Sequence, residues 1–277
     1  MGTVRRGDIW WIPFSGSHAY EIVGDTNDRR NEEKKIPCLV ISSDEFNTRL
    51  GTHTILGLTT LGGRAGTSKE SRDIRKWSTL LTIDDYPQIS KGNADIKATR
   101  IDCNRLWTTS MPVGSQYDYT LNDKHLEIVN RTLFRLLDGQ DSKKPKSPIF
   151  DDGTIIEMTF SEPGSVPARE WFLVASSPAW DWQRQWTTGT CSVVRILSAT
   201  HYDELDPLQT QLHVRDVKTG KRIEAVAQCN QIYTLQWKHP NTRKAGIERG
   251  MKRVGKIPEQ EEQIVAEKIL SLYLNLL

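Results

Sequence analysis

The sequence predicts an α+β protein, mainly β, made of two tandem small barrel-like units, each closed by a C-terminal helix. Three observations predict it. The first is a repeated segment: Ile36–Asn47 and Glu170–Asp181 share an apolar run, a Ser-Ser pair and an aromatic, 134 positions apart and without a gap. Leu39/Leu173, Val40/Val174, Ser42/Ser176 and Ser43/Ser177 are identical, and Phe46 falls on Trp180. The second is that the order of strand-like runs restarts after the polar, two-proline stretch 141–148. The third is that each half ends in a pattern of helical period. A repeat this long is far above the 20–50 residues of solenoid arrays and matches one ordinary domain. The expected boundaries are 1–140 for the first domain, 141–148 for the linker and 149–277 for the second.

Each element has a local reason. Asp8–Phe14 is aromatic and β-branched, a strand by composition. Residues 16–35 are polar and charged and read as a long exposed loop. Pro37–Ser43 is a continuous apolar run of buried-strand length. His53–Leu61 is another, ended by Gly62-Gly63. Residues 64–76 read as a second charged loop. Trp77–Ile83 and Ala94–Leu106 read as strands. Leu126, Val129, Leu133, Leu136 and Leu137 fall at helical spacing, which predicts an amphipathic helix over 122–137 stopped by Gly139. In the second half, Gly153–Phe160, Phe172–Ser177, Ser192–Thr200 and Gln228–Trp237 repeat the earlier strands. Gln211–Val217 and Arg222–Ala227 form a hairpin about Lys218-Thr-Gly-Lys221. A final helix starts at Pro258, with Glu259, Glu261 and Glu262 at the positive end of its dipole. Its apolar stripe is Val265, Ile269, Leu272 and Leu276.

Composition narrows the function. Of 277 residues, Lys and Arg number 37 and Asp and Glu 35. Residues 1–146 carry 22 cations and 19 acids, and residues 147–277 carry 15 and 16. Neither half is a polybasic nucleic-acid arm by bulk charge. The four cysteines, Cys38, Cys103, Cys191 and Cys229, lack CxxC spacing and a nearby His pair, so neither zinc nor a disulfide framework is expected. No cofactor motif occurs. With no apolar leader and no run near eighteen apolar residues, the expectation is a cytoplasmic protein that does not cross a membrane.

Arg6-Gly-Asp-Ile-Trp10, the Pro37-led strand ending in Ser, Asn47, the strand ending in Thr59-Thr60, Ile101-Asp-Cys-Asn-Arg-Leu106 and the closing helix together resemble the MazF/PemK toxins. Gln231-Ile-Tyr-Thr-Leu235 resembles that family's late-strand motif in the second half. The resemblance implies SH3-like barrels that dimerise and cut single-stranded RNA without a metal, and hence a pseudo-dimer within one polypeptide. The family's chemistry uses an Arg immediately before the strand proline and a Thr at the end of the next strand. A fixed guanidinium there gives bidentate donors to a phosphate gaining charge, and one such donor is worth roughly 3–4 kcal/mol of barrier.

This chain departs from the pattern. Ile36 precedes Pro37, and Glu170 stands at the corresponding place before Trp171. Thr59 keeps the Thr, and Ser198 is taken as its counterpart. Arg29, Arg30, Lys34 and Lys35 are the nearby cations of the first half, Arg169 and Arg195 those of the second. The catalytic candidates are therefore Thr59 with Lys35 or Arg30. Trp180, Trp182 and Trp186 around Arg184 suit stacking on unpaired bases, a protein-binding hot spot or a core edge. With Arg169 and Ser198 they are the candidates for RNA or partner binding. The cations at 243–256 read as a solvated loop or a phosphate-binding run. His53, at a strand start, is a remote candidate base. The expected function is a catalytically degenerate toxin-like module that holds a protein (an antitoxin-like peptide, a regulator or a protease) in a toxin–antitoxin, stress or phage-defence system. The alternative is a metal-independent endoribonuclease.

Overall fold

A computed structural model describes residues 3–15, 33–62, 78–90, 96–138, 153–160, 166–175, 190–198, 207–236 and 251–274. The expected linker 141–148 and nearly all of both expected polar loops lie outside the described residues. The chain divides into two compact units. Met1–Leu106 with Ser110–Phe134 make the first, and Trp107–Thr109 with Arg135–Leu277 make the second.

The first unit is built on β1 (Asp8–Ser15), β2 (Glu33–Val40), α1 (Asp44–Leu50), β3 (His53–Gly62), β4 (Ser78–Thr82), a 3-10 turn at Pro87–Ser90, β5 (Ile96–Thr109), β6 (Gln116–Thr120) and α2 (Asp123–Asp138). Its strand order is β4-β5-β3-β2-β1-β6. The β1–β2, β1–β6, β2–β3 and β4–β5 ladders are antiparallel. Ile9, Ile12, Ile36, Leu39, Ile55 and Leu56 of the strands are buried, as are Val129 and Leu133 of α2.

The second unit holds β7 (Thr154–Phe160), β8 (Ala168–Val174), β9 (Thr190–Ser198), β10 (Gln209–Asp216), β11 (Arg222–Gln236), β12 (Lys252–Lys256) and α3 (Glu259–Leu274). Its order, β10-β11-β9-β8-β7-β12, is the order of the first unit with each strand replaced by its sixth successor. Here β10 pairs with β11 and also with β12, so the ring of ladders closes. Phe160, Phe172 and Tyr233 pack edge to face or tilted at centroid distances of 4.9–6.2 Å, and Trp107 lies 5.3 Å from Tyr233. Such aromatic contacts add to simple area burial. Val265 and Ile269 of α3 are buried as expected, while the side chain of Leu272 and all of Leu276 lie outside the described residues.

Several expected boundaries move, each for a physical reason. β2 begins at Glu33, inside the stretch read as loop, because Lys34 and Lys35 pair through their backbones with Phe14 and Pro13. It ends at Val40, because Ser43 leaves the sheet to cap α1, a helix the apolar pattern conceals. β8 shifts toward its start for the same reason, with Ala168 pairing to Phe160. The segments 222–227 and 228–237 are one strand, β11, with a register shift between Gln228 and Ile232. β6, an edge strand, and β12, held between β7 and β10, are short and polar, with no apolar run to reveal them. β12 falls at 252–256, where the sequence reads as a basic loop or phosphate-binding run.

Gly255 lets β12 approach β10. A Cβ at this position would lie 2.4 Å from Val214 Cγ1 and 2.8 Å from the backbone oxygen of Arg215. Gly255→Ala is expected to lower stability by about 1–3 kcal/mol, the cost of overpacking, read as a lower urea midpoint at unchanged slope. An unchanged midpoint would show that β12 yields freely.

Candidate functional site

The residues that carry the sequence pattern do structural work first. Asp8 is buried, its Oδ1 accepting from Thr120 Oγ1 at 2.7 Å and its Oδ2 from the Arg5 N–H at 2.9 Å. The Arg6 N–H donates to Asp44 Oδ1, and its guanidinium to Asn130 Oδ1 at 2.7 Å. Ser42, Ser43 and Asn47 are buried. Ser42 Oγ lies 2.6 Å from Asn47 Oδ1 and accepts from the Thr54 N–H, while Asn47 Nδ2 donates to the Ser42 carbonyl. Ser43 Oγ accepts from the Phe46 N–H at 3.4 Å as the N-cap of α1. The Ser-Ser of the repeat is thus a strand-to-helix cap in this unit. Asp102 and Arg105 of the late strand form a buried ion pair at 3.2 Å.

The position that would bear a phosphate-binding Arg holds Ile36, 2% exposed and paired with Ile12. Its side chain belongs to the core. The β2–β3 ladder runs from Cys38–Gly57 to Val40–Ile55, and carried on in that register it sets Ile36 across from Thr59. Thr59 is half-buried, and its carbonyl accepts from Thr99 Oγ1 at 3.1 Å. Lys34 and Lys35 are exposed on β2. The structure therefore puts Lys35 and Thr59 on neighbouring strands, while Arg30 lies outside the described residues.

In the second unit the matching strand position is Glu170. Its Oε1 accepts from Arg195 Nη2 at 2.8 Å, and Arg195 Nη1 donates to Gln231 Oε1 at 3.3 Å. The cluster spans β8, β9 and β11 and was not assembled from sequence, where Arg195 was only one nearby cation. The two side chains of the ion pair are 25% and 18% exposed, so water screens them less than a surface pair. Arg169 is exposed and reaches Glu157 at 3.4 Å, and Trp171 Nε1 donates to the same carboxylate. Ser198 is exposed at the end of β9. Matching the Leu39–Leu56 pair to Leu173–Val194 puts Leu197, not Ser198, at the place of Thr59. A one-residue step reverses the facing of a strand residue, so Ser198 is displaced from the equivalence expected of it. Trp180, Trp182, Arg184 and Trp186 lie outside the described residues.

Other reactive groups are muted. All four cysteines are buried and free. Burial pushes the Cys103 thiol up to about 12 and the Cys229 thiol to about 11, which leaves neither as a thiolate nucleophile near neutrality. His53 is buried. Among the described residues no group of three or more His, Cys, Asp or Glu is placed to hold a metal, and no helix is long and apolar enough to cross a membrane.

Residues 5–136 match the family model of PemK-like, MazF-like toxins of type II toxin–antitoxin systems. Solved structures with similarity include MazE–MazF from Deinococcus radiodurans, at 20% identity, TM-score 0.32, 45% of this chain and 95% of that one. MazF of the same organism aligns at 19% identity and TM-score 0.32, over 46% and 97%. An endoribonuclease in complex with its cognate antitoxin from a mycobacterial species aligns at 16% and TM-score 0.31, over 46% and 97%. No curated protein matches the chain.

Asn47→Ala removes both side-chain bonds to Ser42 and strands buried polar atoms. It is expected to cost about 1–3 kcal/mol, measured by chemical unfolding. A neutral effect would mean that the Ser42–Asn47 contact contributes nothing to holding the end of β2.

Proposed function

From a first unit that contains a domain of the PemK-like, MazF-like toxin family, we propose that this chain is a tandem pair of such domains, packed as an intramolecular pseudo-dimer of SH3-like barrels. We place the domain boundary at the 141–148 linker and the protein in the cytoplasm. The working surface holds a protein partner of a toxin–antitoxin or related stress or defence system, and the cleavage chemistry is lost. The observation that carries this reading is the burial of Ile36. Transition-state stabilisation of a phosphoryl group needs a preorganised cation, and an aliphatic core residue supplies none. In the second unit Glu170 occupies Arg195 and sets a negative charge where a phosphate would approach.

The tandem reading is supported by matched hydrogen bonds. Gly7 N–H donates to Val40 O as Gly153 N–H donates to Val174 O, and Leu121 N–H reaches Gly7 O as Ile257 N–H reaches Gly153 O. Ile41 N–H to Thr54 O likewise matches Ala175 N–H to Ser192 O.

The second reading, a metal-independent endoribonuclease of single-stranded RNA, is favoured by Thr59, half-buried on β3, the neighbour of the strand that carries the exposed Lys35. A lysine there is a flexible point charge and not a fixed fork. Purified full-length protein in chelator is expected to leave single-stranded RNA intact, and to bind the product of a neighbouring, co-transcribed gene by calorimetry. Cleavage that Thr59→Ala lowers about tenfold or more, equivalent to ~1.4 kcal/mol of barrier, would instead establish the enzyme.

A further inference from the structure

The two units close their sheets differently, and the difference leaves one strand edge open. In the second unit Arg215 and Asp216 of β10 pair with Lys256 and Gly255 of β12. That pairing leaves no room for a side chain at position 255, where a Cβ would lie 2.4 Å from Val214 Cγ1. Gly255 stands opposite Ile155 on β7, as Tyr119 stands opposite Ile9 on β1. The first unit therefore carries a buried tyrosine where the second needs a glycine. The Tyr119 ring packs against Tyr86, just beyond β4, at a centroid distance of 5.3 Å. Among the described residues β4 pairs with β5 alone.

The open edge lacks the features that usually protect one. Ser78-Thr-Leu-Leu-Thr82 holds no charge, proline or glycine, and its ladder with β5 runs without a bulge. Such an edge is a template for pairing with another chain. Thr79 and Leu81 are buried, while Leu80 on the opposite face is 52% exposed. The segment is also its own complement. Laid antiparallel to a copy of itself about a two-fold axis at Leu80, it sets Leu80 opposite Leu80, Ser78 opposite Thr82 and Thr79 opposite Leu81 of the copy. Residues directly opposite share a face of the sheet. The two exposed leucines then cover each other, the small hydroxyls flank them, and Thr79 and Leu81 continue the inner face. No pair brings like charges together, which a two-fold axis would do for any charge at its centre.

We propose that β4 is a self-association edge, through which two copies of the whole chain join by antiparallel β4–β4 pairing about a two-fold axis at Leu80. The contact is isologous and closed, so assembly stops at two chains. It joins separate chains, and it is independent both of the pairing of the two units within one chain and of any protein partner. A ladder of 5 residues a side is small beside the roughly 1,000 Å² of a stable interface. The dimer therefore forms at high protein concentration and dissociates on dilution.

The test is sedimentation equilibrium of the full chain over a concentration series. Wild type is expected to rise from 31.6 kDa toward twice that mass. Leu80→Lys sets two like charges opposite each other and is expected to weaken association by about tenfold or more. Its urea midpoint should be unchanged, because the side chain it replaces is exposed. Charge pairs read the register. Ser78→Lys with Thr82→Glu in one chain places opposite charges in both outer pairs and should associate at least as tightly as wild type. Ser78→Lys with Thr82→Lys should not associate. A wild type that stays at 31.6 kDa, or a dimer that Leu80→Lys leaves intact, overturns the proposal. Equal association of the two double variants overturns the two-fold register. A monomeric chain whose calorimetric binding of the co-transcribed product is abolished by Leu80→Lys would give the edge to that partner and not to a second copy. Failure of that product to bind leaves the dimer standing, so the two readings fail separately.

Discussion

One backbone junction governs each unit. Gly7 sits at φ +89° and Gly153 at φ +71°, a conformation that glycine alone adopts without strain. Each is buried and spends its N–H on the end of the second strand and its C=O on the residue entering the terminal helix. A buried peptide group must find partners, and here the partners are what close the unit: first strand, second strand and helix start are fixed by two hydrogen bonds. The sheet order, the direction in which the helix leaves, and the faces turned inward follow from that meeting point. The letters around it vary freely, since Asp8 follows one glycine and Thr154 the other.

The same economy explains why family likeness in sequence does not carry chemistry with it. Residues that make the resemblance legible, Arg6, Asp8, Ser42, Asn47 and Asp102, are engaged in buried or half-buried bonds that hold elements together. Removing one partner of such a bond leaves the other desolvated and unpaired. A phosphate-binding guanidinium is under the opposite rule. It has to remain accessible, whereas Ile36 is buried in the core.

How much was legible in the sequence follows from what each signal depends on. The strands with continuous apolar runs, such as those holding Leu39 and Leu173, were readable because burial on both faces leaves a compositional mark. The helices showed in the spacing of Val129, Leu133, Val265 and Ile269. β6 and β12 were not readable, because each owes its existence to its neighbours' backbones and not to its own side chains. The extension of β2 through Lys34 and Lys35 was hidden for the same reason. The Glu170–Arg195–Gln231 cluster needed registry: the residues stand 25 and 36 apart in sequence and only the β8–β9–β11 ladders bring them together. Thr59 and Ser198 looked equivalent by letter, and one residue of register separates them.

The two units differ at this strand position, and the difference is asymmetric in cost. In the first unit, an arginine placed at position 36 would press a guanidinium into a site that is 2% exposed. Desolvating such a charge costs several kcal/mol unless a partner is built with it, and Ile12 across the ladder supplies none. In the second unit the cation is already present one strand away, and Glu170 is both its partner and its mask. A carboxylate that satisfies a half-buried guanidinium stabilises the fold and at the same time excludes a second anion. The first unit thus uses the position for packing, while the second holds a charged residue there that is closed upon its own partner. Any ligand of the Arg195 cluster has to outcompete a carboxylate held 2.8 Å away with no loss of translational freedom, a condition that a single phosphate meets poorly and a multidentate protein surface meets better.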